Sequence, residues 1–310
     1  MSNSNSNFNM SNILITGANS FVGTNYIRYS KYKKIREVCL LENKPENLDF
    51  TGVDVVLHVA AIVHQEKKFH ESEYFRINRD LCLEVAGRAK DAGVKQFVFL
   101  STIKVYGEFK SGISIWNENS ECYPEDGYGR SKYEAELGLL KLGSRDFIVS
   151  IIRTPLIYGI GVKANMLSII TLVDNIPVLP FGKVNNKRHF TYIENLVKLI
   201  DRIIERKASG LFIAMDTRSL STTELVELIS DGLGKKRILF RLPRFIIKVG
   251  MIVIPKIFDR LYGSFEIDNT KTLKELDFFP PFKPEIGIKR MVQDYKNQKN
   301  QKGRIRFSTL

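Results

Sequence analysis

Two hydrophobic periods take turns along this chain. Short, mostly apolar and β-branched runs recur at Asn12 to Thr16, Glu37 to Leu41, Val53 to Ala61, Gln96 to Leu100, Asp146 to Ile152 and Gly210 to Ala214. Between them the apolar positions fall at helical spacing, as in Tyr74 to Ala92 with Ile77, Leu81, Val85 and Ala86, and in Ile193 to Ile204. Buried strands alternating with one-sided helices predict an α/β fold built on a Rossmann-type, doubly wound parallel sheet. The alternation is cut short once: the stretch from Glu42 to Val53 is too brief for a full crossover helix.

The first strand runs straight into Gly17-Ala18-Asn19-Ser20-Phe21-Val22-Gly23 and a helical pattern to about Lys33. Strand, glycine turn and helix start together form a dinucleotide-binding arrangement. Gly17 permits the tight turn, Gly23 permits close helix packing, and the N–H groups opening the helix can receive a pyrophosphate. Ser20 stands where the commoner fingerprint has glycine. Glu42, 25 residues after Gly17, is placed to accept from an adenosine ribose. That favours NAD, although Lys44 two residues on could meet the 2′-phosphate of NADP instead. Ala60-Ala61 closes an apolar strand with a small, flat floor over which a cofactor can lie; tight strand packing is the alternative.

The strand at Gln96 to Leu100 delivers Ser101 and Thr102 at its C-terminal end, where open α/β sheets bind ligands. Tyr128 and Lys132 then lie four residues apart at a helix start, on one face. On its own such a pair is ordinary surface chemistry. Beside a nucleotide fold and a strand-end hydroxyl, it becomes a group for moving a proton to or from a sugar hydroxyl or ketone, with the ammonium favouring the phenolate.

Composition narrows the field. The chain has 310 residues, 44% hydrophobic, with a net charge of +13. That charge suits a nucleotide, a phosphate or a membrane surface, but the basic residues are spread widely with no RNA- or DNA-binding motif. Three scattered cysteines, Cys39, Cys82 and Cys122, argue against a disulfide framework and for a reducing, cytoplasmic setting. Four histidines show no metal-ligand spacing, so no metal is implied. Residues 1–11 are a Ser/Asn-rich tail without the features of a signal peptide.

Taken together, Thr16-Gly17-x-x-Ser20-Phe21-Val22-Gly23, His58-Val59-Ala60-Ala61, Asn78, Ser101-Thr102-x-x-Val105-Tyr106-Gly107, Tyr128-x-x-x-Lys132 and Arg153-x-Pro155-x-x-Tyr158-Gly159 resemble the extended short-chain dehydrogenase/reductases that act on nucleotide sugars. The likeness runs from Asn12 to about Asp294. It implies catalytic roles for Thr102 as the hydroxyl, Tyr128 as the acid/base and Lys132 as the residue that binds nicotinamide ribose and lowers the tyrosine pKa. It also implies cofactor contacts from Gly17, Phe21, Val22, Gly23, Ala60, Ala61, Asn78 and Pro155, joining Ser20, Glu42 and Ser101 from the residue reading. Dehydratases of the family place Asp-Glu after the triad hydroxyl; here the pair is Ile103-Lys104, which points away from dehydration and toward hydride transfer at C4. Within the family the chain is most similar to bacterial O-antigen and capsule enzymes, 4-ketoreductases and 4-epimerases of UDP-sugars. The expected reaction is reduction of a UDP-4-keto-6-deoxy-N-acetylhexosamine, with a UDP-sugar 4-epimerase holding NAD tightly as the alternative. A non-catalytic nucleotide sensor is the alternative of another class.

The cofactor domain is expected over residues 12–155 and 188–215, and a smaller C-terminal substrate lobe over 156–187 and 216–295. Lys163, Asn165, Arg188 and Arg260 are candidate substrate contacts, Arg188 as the diphosphate-binding arginine that the resemblance implies and whose planar fork suits the task. Ser221-Thr222-Thr223-Glu224 is a capping box. Leu242 to Tyr262 predicts a helix pair broken at Pro255; its apolar residues and scattered cations alternatively describe a surface that rests on an anionic membrane. A homodimer through the helices bearing Asn78 and Tyr128 is implied by the resemblance. Residues 296–310 are expected to be a disordered basic tail.

Overall fold

The computed structural model describes residues 11–63, 69–107 and 115–307. The expected N-terminal tail, apart from Ser11, lies outside the described residues, as do residues 308–310.

Six strands form the main sheet: β1 (Ile13–Thr16), β2 (Ile35–Val38), β3 (Val55–His58), β4 (Gln96–Thr102), β5 (Ile148–Thr154) and β6 (Gly210–Ile213), in the order β6-β5-β4-β3-β1-β2. β1 pairs in parallel with both β2 and β3, and β3 with β4. Strand order therefore reverses at β1, and ligands of such sheets bind beyond the strand C-termini at that reversal. The register puts Thr16 opposite both Val38 and His58, and His58 opposite Phe99. The Gly17 turn, Ala60 and Thr102 consequently emerge at one edge. All four residues of β1 and of β3 are buried, as expected of strands covered on both faces.

The main helices are α1 (Phe21–Tyr29), α2 (Leu81–Asp91), α3 (Gly127–Leu142), α4 (Ile193–Arg206), α5 (Arg244–Val253), α6 (Pro255–Tyr262) and α7 (Pro284–Phe307). Between β2 and β3 there is a single 3₁₀ turn at Pro45–Asn47, matching the short crossover expected there. Packing divides the described chain into two units. The first holds residues up to 105, with 124–152 and 200–211; the second holds 106–123, 153–199 and those from 212 on.

In the first unit Val56, Phe97, Phe99 and Ile151 of the sheet meet Cys82, Val85 and Ala86 of α2 and Ala135 and Leu139 of α3. Each large apolar side chain so buried contributes about 1.5–3 kcal/mol before conformational entropy is subtracted. In the second unit Tyr158 and Tyr192 pack with ring centroids 5.5 Å apart around the buried Asp216. That carboxylate accepts from the Tyr158 hydroxyl (2.7 Å), the Tyr192 amide (2.9 Å) and the Asn195 side chain (2.7 Å). Burial still pushes its pKa up to about 6.

Three expected boundaries move. α1 ends at Tyr29 rather than near Lys33, because Ser30 turns extended and donates its hydroxyl to Asp201 at 2.6 Å. β2 spans Ile35–Val38 rather than Glu37 to Leu41, because the Cys39 carbonyl accepts from the amides of Glu42 and Asn43 and turns the chain. Residues 296–307, expected to be disordered, continue α7 as helix. Side-chain bonds of Gln293 to Asn297 and of Gln298 to Asp294 support its turns, and Lys299 pairs with the buried Asp174 at 2.5 Å. The capping box is present as expected, Ser221 and Glu224 capping one another reciprocally.

Candidate active site

The glycine turn is shaped by close backbone approach. Gly17 has φ +112°, and a Cβ there would stand 2.8 Å from the Ala60 amide nitrogen. No other residue fits on either count. The Val38 carbonyl accepts from the amides of Gly17 and Ala18, tying the turn to β2. Ser20, out of pattern in the fingerprint, is the N-cap of α1 and accepts from the Gly23 amide at 3.0 Å. Phe21 and Val22 open the helix behind it. With its backbone against Ala60, the Gly17 turn leads into the positive end of α1, whose first N–H groups fit the pyrophosphate of a dinucleotide. Glu42 is exposed in the turn beyond β2.

Asn78, expected as a cofactor contact, is fully buried. It lies on a π-helical segment, Phe75–Asp80, of the kind often found at functional sites. Its amide brackets the Ile62 backbone, accepting from the N–H at 2.9 Å and donating to the carbonyl at 3.0 Å, and also donates to the Ser131 hydroxyl at 3.1 Å. One side chain thus fastens the segment after Ala60-Ala61 to the helix that carries Tyr128.

Thr102 is the last residue of β4 and is buried, and its hydroxyl is close enough to the Tyr128 phenol to pull the phenol's pKa down. Asp126 caps α3, accepting from the Gly129 amide at 2.7 Å, and holds Lys104 Nζ at 2.7 Å; that ammonium lies 6.0 Å from the Tyr128 ring centroid. Gly129 has backbone against it, a Cβ meeting the Lys104 carbonyl at 3.0 Å, so the first turn of α3 sits directly on the loop after β4. Thr102 and Tyr128 stand beside one another in the first unit, while the Lys132 side chain runs to Phe99.

The electrostatics depart from expectation. Lys132 is 2% exposed, and its ammonium lies 3.8 Å from the centroid of the Phe99 ring. This is a close cation–π contact. Burial lowers its pKa to about 8, against the pull of Cys82 and Glu136. The Tyr128 phenol is not lowered but pushed up to about 12. Desolvation is the main cause, opposed by the nearby Thr102 hydroxyl and reinforced by Asp126 and Tyr74. The phenol is therefore held in its proton-bearing form.

Two residues that the sequence reading passed over complete the cluster. Glu136, one turn beyond Lys132, is buried and accepts from the Ser101 hydroxyl; its i+4 spacing from Lys132 was the available signal. His58 is buried with Nδ1 2.7 Å from the Thr16 hydroxyl and its ring stacked on Phe97, while Nε2 has no hydrogen-bond partner. Burial, with Lys132 nearby, lowers its pKa to about 3, so the imidazole is neutral.

The candidate substrate residues lie in the second unit. Lys163 and Asn165 are exposed at the start of the Ala164–Asn175 helix, and Arg260 is exposed on α6. Arg188 is half-buried and donates to the carbonyls of Gly263 (2.9 Å) and Asp259 (2.6 Å), fastening the C-terminal end of α6. Pro155, buried, follows β5.

The model of the NAD dependent epimerase/dehydratase family matches residues 13–212. The chain belongs to this family. It is 34% identical to a UDP-glucose 4-epimerase of Vibrio cholerae, over 93% of this chain and 96% of that protein. It is 25% identical to an N-acetyl-α-D-glucosaminyl-diphospho-ditrans,octacis-undecaprenol 4-epimerase of Escherichia coli O157:H7, over 91% and 94%. Among solved structures the fold resembles a UDP-glucuronic acid 4-epimerase from Bacillus cereus in complex with NAD, with a TM-score of 0.72 at 20% identity, covering 92% of this chain and 98% of that one. Family membership makes the chain an NAD(P)-dependent enzyme of nucleotide-sugar metabolism. Its glycine turn and the α1 terminus fit that cofactor.

Proposed function

We propose that this enzyme exchanges a hydride at C4 of a UDP-linked sugar, with Tyr128 as acid/base, Thr102 orienting the C4 oxygen and Lys132 binding the nicotinamide ribose. A nicotinamide cofactor, when bound, would supply or accept the hydride. Tyr128 as phenol gives its proton to the C4 oxygen when a ketone is reduced and becomes phenolate; oxidation of an alcohol is the reverse step and needs the phenolate, which takes the alcohol's proton, while the Thr102 hydroxyl holds that oxygen in hydrogen-bond reach. The observation that carries the reading is the Thr102 hydroxyl beside the Tyr128 phenol at the strand end, with Ile103-Lys104 following instead of a second acid and base.

Two net reactions use this chemistry. The Vibrio relative favours 4-epimerisation, in which the hydride leaves and returns on opposite faces of the sugar. The motif likeness to surface-polysaccharide enzymes favours reduction of a UDP-4-keto-6-deoxy-N-acetylhexosamine. The Escherichia relative adds a diphospholipid-linked N-acetylhexosamine as a third substrate to try. Following reduced-cofactor absorbance with each sugar separates them. Stoichiometric loss identifies a reductase, and turnover of a 4-hydroxy sugar without net loss identifies an epimerase. If Tyr128→Phe turns over both substrates like the wild type, the triad assignment fails and the non-catalytic sensor is the better description.

Arg188 is the proposed diphosphate donor, with Lys163, Asn165 and Arg260 as further substrate contacts. Glu42 as ribose acceptor makes NAD the preferred cofactor over NADP. The proposed homodimer uses the helices bearing Asn78 and Tyr128. Leu137 and Leu140, exposed on α3, suit such a contact, and light scattering of the purified protein tests it.

A further inference from the structure

The α5–α6 hairpin reverses the usual distribution of apolar side chains. On α5 the exposed apolar residues are Phe245, Ile246, Val249, Ile252 and Val253, which is one continuous helical stripe. Ile252 is 80% exposed, Val253 70% and Phe245 68%. Ile257 extends the stripe onto α6. Isolated apolar residues at a surface need no explanation, but a contiguous patch marks a place of contact.

The hairpin is built to hold that stripe outward. Gly250, the buried residue of α5, sits against Phe258 of α6 so closely that a Cβ would come 2.3 Å from its ring. Phe258 stacks on Tyr262, whose hydroxyl donates to the Pro180 carbonyl at 2.9 Å. The far end of α6 is fixed by three side chains: Arg188 on the Asp259 and Gly263 carbonyls, Thr222 on Leu261 at 2.6 Å and Asn186 on Gly263 at 3.0 Å. Polar bonds anchor the base of the hairpin while its outer face offers hydrocarbon.

Charge says what covers it. Between Lys235 and Tyr262 there are eight Lys and Arg against one carboxylate, Asp259. Arg244, Lys248 and Lys256 are exposed beside the apolar stripe. A second copy meeting this patch through a two-fold axis would oppose cation to cation. The cores of protein interfaces are depleted of lysine. An apolar stripe bordered by long cationic side chains matches an anionic bilayer surface, where hydrocarbon enters the acyl boundary and the ammonium groups meet lipid phosphates. No described helix is long and apolar enough to cross a membrane, so the element would lie along the surface.

We propose that the α5–α6 hairpin docks this enzyme on an anionic membrane, lying flat with Phe245, Val249, Ile252 and Val253 in the acyl boundary. The proposal does not depend on which C4 reaction is catalysed. Its test is co-sedimentation of the full-length protein with vesicles of phosphatidylglycerol and phosphatidylcholine in equal parts, and with vesicles of phosphatidylcholine alone. Partitioning is expected to be about tenfold or more stronger on the anionic vesicles and to fall with added salt. The double variant Ile252→Asp/Val253→Asp and the double variant Lys248→Glu/Lys256→Glu should each lose about tenfold, with unchanged circular dichroism and elution volume. Equal partitioning on both vesicle types, absent binding, or an unaffected Ile252→Asp/Val253→Asp protein overturns it. So does an oligomer that this variant dissociates while wild-type protein ignores vesicles, which would make the face a protein interface.

Discussion

Two regions of this molecule break the rule that charge lies outside and hydrocarbon inside, and they break it in opposite directions. Around β4 and α3 the chain buries His58, Asn78, Thr102, Lys132 and Glu136. Along α5 it exposes a row of large apolar side chains. The first region pays for its polarity with bonds and ring contacts: Asn78 on Ile62 and Ser131, Ser101 on Glu136, Lys132 on Phe99. The second has no comparable compensation within its unit. A buried polar cluster with its partners in place points to chemistry, whereas an exposed apolar stripe with a cationic border points to a surface outside the chain.

The sharpest way to break the comparison is at Tyr128. Tyr128→Phe removes the proton that the cluster is organised to hold, and turnover should fall by about 10²–10⁴ with little change in thermal midpoint. Comparable loss of fold and activity would instead make the phenol a structural group. Next in size is the pH dependence of stability. His58 has a folded pKa near 3, below its unfolded value of about 6.5, so its stabilising contribution is complete above pH 6.5 and is lost as pH falls toward 3, up to ~5 kcal/mol. Denaturant titrations of wild type and His58→Asn across that window should show a shallower slope in the variant. Asp216, in the other unit, has the opposite sign. Its folded pKa near 6 lies above the ordinary carboxylate value, so its contribution is present below about pH 4 and is lost as pH rises through 6. Asp216→Asn should remove that component, about 3 kcal/mol, from the same titrations.

Smaller effects sharpen the contrast. Glu136→Ala takes away the acceptor of the Ser101 hydroxyl and a charge near Lys132, and should cost about 1–3 kcal/mol by chemical denaturation. Glu136→Gln should restore much of that stability. At the other region, Ile252→Asp should change stability by less than about 0.5 kcal/mol, since the side chain is almost wholly solvated. A large loss there would mean that the stripe is packed against something the free chain provides.

How much could be read without coordinates follows from the range over which each interaction acts. The strand, glycine turn and helix start at Gly17, the spacing of Tyr128 and Lys132 and the capping box at Ser221 are local patterns, and each is present where its spacing put it. The end of α1 depends on Asp201, far away in sequence, and β2 stops where the Cys39 carbonyl turns the chain, a local bond that residue type does not announce. The helical course of residues 296–307 was missed for the same reason as the end of α1, since Asp174 lies far from Lys299 along the chain.

Residue types and their spacing by themselves determined the alternation of strand and helix, the family likeness and the helical placement of the proposed proton-handling pair, because periodicity and turn chemistry are properties of neighbouring residues. Only the tertiary structure decided the state of that pair. Spacing on a helix says that Tyr128 and Lys132 share a face. The fold placed Phe99 under the ammonium and Tyr74 and Thr102 beside the half-buried phenol, leaving the lysine near 8 and the tyrosine near 12. Protonation is set by the groups that surround an atom, and those arrive from β4, from α2 and from the turn of Tyr74 before it, elements that no local pattern ties to position 128.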